Sequence, residues 1–270
     1  MAVIRGAFIK GANLLPPQDT GTFNVDSYAA NLFLALSFTN YKSDVTGGAY
    51  VDLSPQIRTA QDLTPGTAKV ATQTGSSTIN STVASTLPNY TNNLVFPSPQ
   101  TSTADLFYYS YQLGVNQALT IEFWTYLPIG APGGTWLQTN NFGGGFYPAY
   151  VLYRDGASGN AKFFTNTGGT QQIGDGLVTL GAWHHIAYVF DGSGASYQQY
   201  VDGVRGYNGT YGANPGQSIF TIGTSNWDGI PNQTGLRLQD FRIYTGIQKY
   251  TGASFTLSTT NPNFGGAILK

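Results

Sequence analysis

Carboxyl and imidazole groups are where catalysis would have to start, and this chain has few of them. Its one glutamate is Glu122, inside the run Leu119-Thr-Ile-Glu-Phe-Trp-Thr-Tyr126. Glycoside hydrolysis normally takes two carboxyl groups set about 5 to 9 Å apart, one acid and one nucleophile or base. The simplest strand-borne version is Glu-x-Asp-x-x-Glu, because alternate side chains share a face. The next two positions on the face of Glu122 are Trp124 and Tyr126, so that pair is missing. Acids brought together in space remain open. Five of the twelve aspartates, however, stand directly before glycine, at Asp155, Asp175, Asp191, Asp202 and Asp228, where turn geometry already accounts for them.

His184 and His185 are the only histidines, and neighbours on a strand point to opposite faces. They cannot form one metal pair or a shared acid-base unit. One is expected to face the core with its nitrogens bonded to backbone or hydroxyl groups, the other to face away. The chain has no cysteine, hence no disulfide framework and little from which to build a zinc or di-iron centre. No Gly-x-Ser-x-Gly elbow occurs, and Gly143-Gly-Gly145 lacks the Lys-Ser/Thr of a phosphate loop. No catalytic residue is assigned.

Binding chemistry is better supplied. The stretches 140–148 and 225–235 set aromatic residues among amides and glycines. Sugars stack on aromatic faces while Asp and Asn bond their hydroxyls, which makes Phe146, Tyr147, Trp227 and Asp228 the candidate glycan site. The same aromatics could cap one end of the fold or lie in a subunit contact, where Tyr and Trp are common. Trp124 and Trp183 sit mid-strand and are expected to pack in the core or on a sheet face.

The element that must organise these residues is Trp183 to Gly206. An alternating run from Trp183 to Phe190 meets the turn cluster Asp191-Gly-Ser-Gly194, a second run follows from Ser196 to Val201, and Asp202-Gly203 reverses the chain into Val204. Period-two alternation broken by Asp-Gly predicts an antiparallel meander. Further strands are expected at Asn31 to Phe38, Ala49 to Val51, Ala68 to Ala71, Asn93 to Phe96 and Leu106 to Tyr111. From there to Tyr244 strands recur every ten to fifteen residues, the rhythm of an all-β sandwich. No segment carries convincing helical periodicity.

The chain has 270 residues, enough for one large β domain or two small ones. Charged residues make up 9%, against roughly 25% in ordinary soluble proteins. Hydroxyls, amides and tyrosines make the surface polar instead, which suits assembly into large particles or life outside cells. A net charge of -1 offers no long-range field, so nucleic acid and anionic membrane are not expected as partners. The start, Met1 to Lys10, is broken by Arg5 and Gly6 and does not have the apolar core of a signal peptide.

These residues also carry a resemblance. The Trp-His-His-hydrophobic-Ala start, the Tyr-Val-Asp-Gly strand end, Leu119 to Tyr126, Phe220 to Gly223 and Leu236 to Tyr244 resemble laminin-G-like domains of the concanavalin A-like jelly-roll superfamily. Leu32 to Leu36 with Asp52-Leu-Ser-Pro55 is similar to its opening strand and turn. The resemblance covers roughly 30 to 258. It implies an all-β antiparallel jelly-roll sandwich over 31–258; residues 1–30 do not fit it and read as an edge strand or an arm with a Pro-rich connector, and 259–270 as a tail.

Some members of that superfamily are glycosidases, but the retaining-glucanase motif is absent here. Others hold calcium at the sandwich rim through Asp, Asn and carbonyl oxygens. Asp155, Asn226, Asp228 and Asn232 are the matching rim oxygens, making Ca²⁺ the one cofactor the resemblance implies. The run Asp240-Phe-Arg-Ile243 leading through Thr245 to Lys249-Tyr-Thr251 is similar to structural proteins of tailed bacteriophages. The expectation is a non-enzymatic virion protein, made in the host cytoplasm, that decorates a capsid or forms part of a tail or fibre. It would contact other virion proteins through its arm and β edges as a homo-oligomer, and host-surface glycans as well. The alternative is a carbohydrate-binding lectin or adhesin module.

Overall fold

The structure is a computed structural model. It describes residues 27–28, 31–36, 41–42, 49–51, 70–73, 78–80, 93–95, 106–108, 117–131, 133–141, 148–165, 171–173, 175–193, 196–210, 218–222 and 235–257. Strands dominate them: β1 Leu32–Leu36, β2 Tyr41–Lys42, β3 Ala49–Val51, β4 Val70–Gln73, β5 Thr78–Asn80, β6 Asn93–Val95, β7 Leu106–Tyr108, β8 Leu119–Tyr126 and β9 Gly134–Asn141. There follow β10 Pro148–Arg154, β11 Ala161–Thr165, β12 Gln171–Ile173, β13 Trp183–Phe190, β14 Tyr197–Val201, β15 Val204–Gly209, β16 Ser218–Ile222 and β17 Arg237–Thr245.

They form two antiparallel sheets. An eight-stranded sheet runs β15-β14-β13-β8-β17-β6-β5, with β1 also on β17; a nine-stranded sheet runs β12-β11-β10-β9-β16-β7-β4-β3-β2. The expected all-β sandwich is therefore what the chain forms. Between the sheets, Leu119, Ile121, Phe123, Ile186, Tyr188, Phe190, Phe241 and Ile243 meet Trp136, Leu137, Leu152 and Ala161 of the facing sheet. The Trp136 indole donates to Thr125 Oγ1 at 2.9 Å, and the Phe123 ring lies 5.5 Å from it, centre to centre. A buried indole keeps its N–H satisfied and its area in the core, the arrangement that makes large aromatics good sandwich fillers.

The meander is present, with β13 beginning and ending where the alternation does. At its second turn Asp202 and Gly203 both have positive φ, 51° and 76°, the pattern of a type I′ hairpin that matches strand twist. Both faces of β13 are covered, since every residue from His184 to Phe190 is buried. The inner face carries Ile186, Tyr188 and Phe190; the outer face carries Ala187 and Val189, which pack with Tyr200 under Tyr250 and Phe255. Something covers the outer face, and it is the segment after β17.

β17 departs from plain alternation. Its register against β8 shifts between Gln239 and Arg242, and Asp240 has φ 52°. The bulge sets two polar residues, where alternation would have one, between Leu238 and Phe241 and still returns Phe241 and Ile243 to the core. The expected arm over 1–30 lies outside the described residues except for Ser27 and Tyr28, as does the tail over 259–270.

Candidate functional site

The outer face of the eight-stranded sheet concentrates the polar chemistry of the described residues. After β17 the chain crosses this face as a strap, residues 246–257. The Thr120 hydroxyl donates to the Ile247 carbonyl and accepts from the Lys249 N–H, and the Tyr200 hydroxyl donates to the Gly252 carbonyl. The strap then closes on the far hairpin. The Arg205 N–H donates to the Ala253 carbonyl and the Phe255 N–H to the Gly203 carbonyl, with Ser254 bridging Val204. A side chain at residue 203 would run into the Phe255 carbonyl, so the turn glycine serves the strap as well as the hairpin.

Under this strap lies Glu122, 2% exposed. Its Oε1 receives Lys249 Nζ at 2.7 Å and the Tyr244 hydroxyl at 3.1 Å; its Oε2 receives the Tyr250 hydroxyl at 2.6 Å. The Arg242 guanidinium stands 3.5 Å from Oε1 and also grips Asp240 through Nε and Nη2. Burial alone would raise the Glu122 carboxyl. The Lys249 ammonium and Arg242 guanidinium outweigh it and hold the group well below the usual carboxylate range.

His185 faces the same cluster, its Nε2 3.9 Å from Glu122 and its ring edge-on to Trp124 and Phe255. Burial pushes it down to about 4 against the pull of Glu122, with Lys249 and Arg242 adding to the depression. It is neutral at pH 7, and its Nδ1 is buried without a hydrogen bond. Acids brought together in space do occur, since Glu122 and Asp240 flank Arg242. They form a neutralised, sealed lock.

His184 points the other way, as strand alternation requires. Its Nδ1 lies 2.7 Å from Asp202 Oδ2, and its Nε2 lies 2.8 Å from Thr179 Oγ1 and 3.1 Å from the Thr179 N–H. Asp202 Oδ1 also accepts from the His185 N–H at 2.9 Å. The hydroxyl and backbone partners match the expectation; the carboxylate was hidden by the turn that explains Asp202 in sequence. The spacing resembles a nucleophile-base-acid relay. However, the Thr179 N–H already donates to Nε2, so the lone pair a base would use is engaged. Asp202 ties the hairpin turn to the start of β13 and, through His184, to residue 179.

Among the described residues, the strap leaves one end of the outer face open. Trp183, Tyr126 and Arg237 stand side by side on β13, β8 and β17, paired in register and each partly exposed. The Trp183 and Tyr126 rings are 5.8 Å apart and tilted by 49°, and the Arg237 guanidinium lies 4.5 Å over the Tyr126 ring. Trp124 and Trp183 thus pack on a sheet face as expected. Sequence reasoning missed that Trp183 belongs to a partly exposed row with a cation at its end.

Of the candidate site residues, Phe146, Tyr147, Asn226, Trp227, Asp228 and Asn232 lie outside the described residues. Asp155 is described and occupied. Its carboxylate accepts from the Ala157 and Ser158 N–H groups, from the Ser158 hydroxyl at 2.6 Å and from Lys162 Nζ at 2.8 Å. A calcium ion there would have to displace an ammonium. No group of three or more His, Asp or Glu side chains suited to a metal ion exists among the described residues.

No curated protein matches the chain. Similar solved structures include a Trypanosoma rangeli sialidase, at 17% identity over 80% of this chain and 30% of that one, TM-score 0.49. The binding domain of Paraclostridial Mosquitocidal Protein 1 is 15% identical over 84% of this chain and 51% of that one, TM-score 0.54. Domain 4 of AbnA, an extracellular arabinanase from Geobacillus stearothermophilus in complex with arabinotriose, is 16% identical over 80% and 93%, TM-score 0.50. The chain therefore spans under a third of the sialidase, about half of the toxin chain and nearly all of the arabinanase domain. At such identities the likeness is one of fold, a lectin/glucanase-type sandwich shared with binding domains. A laminin G family model, described as the concanavalin A-like lectin/glucanases superfamily, matches residues 99–247. That span is more than half of the chain and holds β8, β13, β14 and all of β17, and the chain belongs to this superfamily.

Proposed function

We propose that the chain is a non-enzymatic structural protein of a tailed-phage virion, a capsid decoration or tail/fibre component that works by protein-protein contact and adheres to host-surface glycans. The observation that carries the non-enzymatic part is the state of Glu122. A glycosidase acid needs a carboxyl tuned upward and a second carboxyl free to face substrate. Glu122 is tuned downward, sealed by the strap, and has both oxygens taken by Lys249, Tyr244 and Tyr250.

Support for the virion comes from the run Asp240 to Thr251, which resembles tailed-phage structural proteins, and from the 9% charged content. Quantitative mass spectrometry of purified virions from the source phage tests it. A copy number comparable to the major capsid protein assigns the chain to head decoration; a handful of copies assigns it to the tail or fibres. Absence from the particle refutes the virion role.

A second reading, a carbohydrate-binding module outside any virion, is favoured by the arabinanase domain, whose fold this chain matches over 93% of its length and which binds arabinotriose. Glycan-array binding by the purified chain, with no copies in the particle, would establish that reading instead.

A further inference from the structure

We propose that the in-register row Trp183–Tyr126–Arg237 is a binding subsite for a sugar residue that carries a carboxylate. This rests on the glycan adhesion proposed above and moves the contact from the loops to the strands. Neighbouring strands lie about 4.8 Å apart, so three of them span roughly 10 Å, room for a sugar ring and its substituents. Among the described residues the strap stops short of this row: its aromatic contacts with the sheet are Tyr250 and Phe255 on Tyr200, and Phe255 on His185, one residue pair short of Trp183.

The unused polar groups define the ligand. The Trp183 indole N–H and the Tyr126 hydroxyl have no partner among the described residues. Arg237 has no acidic partner there either, and its Nε is buried and unpaired. Arg242, Lys249 and Lys162 each hold a carboxylate, and Arg154 and Arg205 donate to carbonyl or amide oxygens. A cation left over tyrosine, in a chain that pairs those others, is complementary to an incoming anion. The guanidinium lying over the Tyr126 ring is held by cation–π attraction, and its planar fork fits a carboxylate with two parallel hydrogen bonds. The tilted Trp183 and Tyr126 rings offer apolar faces to the C–H side of the sugar, while the indole N–H and phenol O–H reach its hydroxyls.

The test uses the full chain and four probes: 3′-sialyllactose and trigalacturonate, with lactose and galactotriose as neutral counterparts. At least one acidic probe should bind, with its neutral counterpart weaker by about tenfold or more, the factor that ~1.4 kcal/mol represents. Arg237→Gln should bring the acidic probe down to the neutral level, and Trp183→Ala or Tyr126→Ala should abolish both. Thermal melting verifies that the variants fold. In the unsubstituted protein the Trp183 indole N–H resonance, one of four tryptophans, should move on titration.

Equal binding of acidic and neutral probes overturns the carboxylate. Binding lost on Trp227→Ala but kept in the row variants overturns the row and leaves glycan adhesion standing. Binding of none of the four probes overturns the row and the adhesion together, while particle copy number still decides the virion role.

Discussion

Two regions of one sheet face, the half under the strap and the open end, use similar residues to opposite effect. Under the strap, Arg242, Tyr244, Glu122 and Lys249 are packed to near exclusion of water, and each charge meets its opposite. At the open end, Arg237, Tyr126 and Trp183 have the same mix of cation and aromatic without a carboxylate among the described residues. A buried charge is tolerated only when paired, because its desolvation cost is otherwise uncompensated. One that keeps part of its surface in water can stay single. The difference separates a lock, whose removal should cost stability, from a surface, whose removal should cost binding alone.

The sharpest way to break this contrast is at the lock. Lys249→Met leaves Glu122 buried beside one cation and should cost about 3 to 5 kcal/mol in urea unfolding. Adding Glu122→Gln should recover much of that, because the stranded charge goes with it. A Lys249 variant as stable as the parent would mean the strap is not a lock.

Acid probes the same cluster. The folded state holds His185 at about 4 against an ordinary 6.5, so the unfolded chain binds the extra proton across that window. Stability should be full above pH 6.5 and fall by about 3 kcal/mol as pH drops towards 4. Glu122, held low, adds its own loss below about pH 4.5. His185→Gln should flatten the upper part of the profile, read from urea midpoints at pH 7.5, 5.5 and 4.5.

A smaller effect is expected at the hairpin. Asp202→Ala removes the acceptor of His184 Nδ1 and the His185 N–H and puts alanine at positive φ, which should cost about 1 to 3 kcal/mol. Asp202→Asn, which tolerates that φ, should cost less. Smallest of all, Arg237→Gln should shift stability by no more than about 0.5 kcal/mol. A larger loss would mean that the open end supports the fold and would blur the contrast.

Much of the fold was legible because it rests on local pattern. β13 runs over the residues read as an alternating run, and β8 over Leu119 to Tyr126, the run marked by the family resemblance. The Asp202-Gly203 turn was legible because few other dipeptides adopt two positive φ angles. The β17 bulge left a signal that alternation alone passes over: two polar residues, Gln239 and Asp240, stand between Leu238 and Phe241 where one would keep the period. The cover on the outer face left another. Ile186 to Phe190 is apolar at every position, the mark of a strand buried on both faces.

The site was less legible. Lys249 meets Glu122 across 127 residues of sequence, and a lysine in a Gly-Thr-rich stretch looks like solvent-facing polar chain. Asp202 had a sufficient explanation as a turn residue, which concealed its bond to His184. Phe146, Tyr147, Trp227 and Asp228 were chosen by residue type in loops, whereas Trp183 was assigned to packing because it sits on a strand.

By itself the sequence determined the antiparallel sandwich, the meander at its centre, the opposite facing of the two histidines and the lack of a strand-borne carboxyl pair. Each of these follows from periodicity or residue type within a few positions. Tertiary structure alone decided that the one glutamate is locked beneath a strap, that Asp202 is shared between a turn and two histidine positions, and that Trp183, Tyr126 and Arg237 form one row. Those outcomes depend on which distant segments share a face and which remain uncovered. That is settled when the chain closes on itself, because pairing and burial there outweigh local preference.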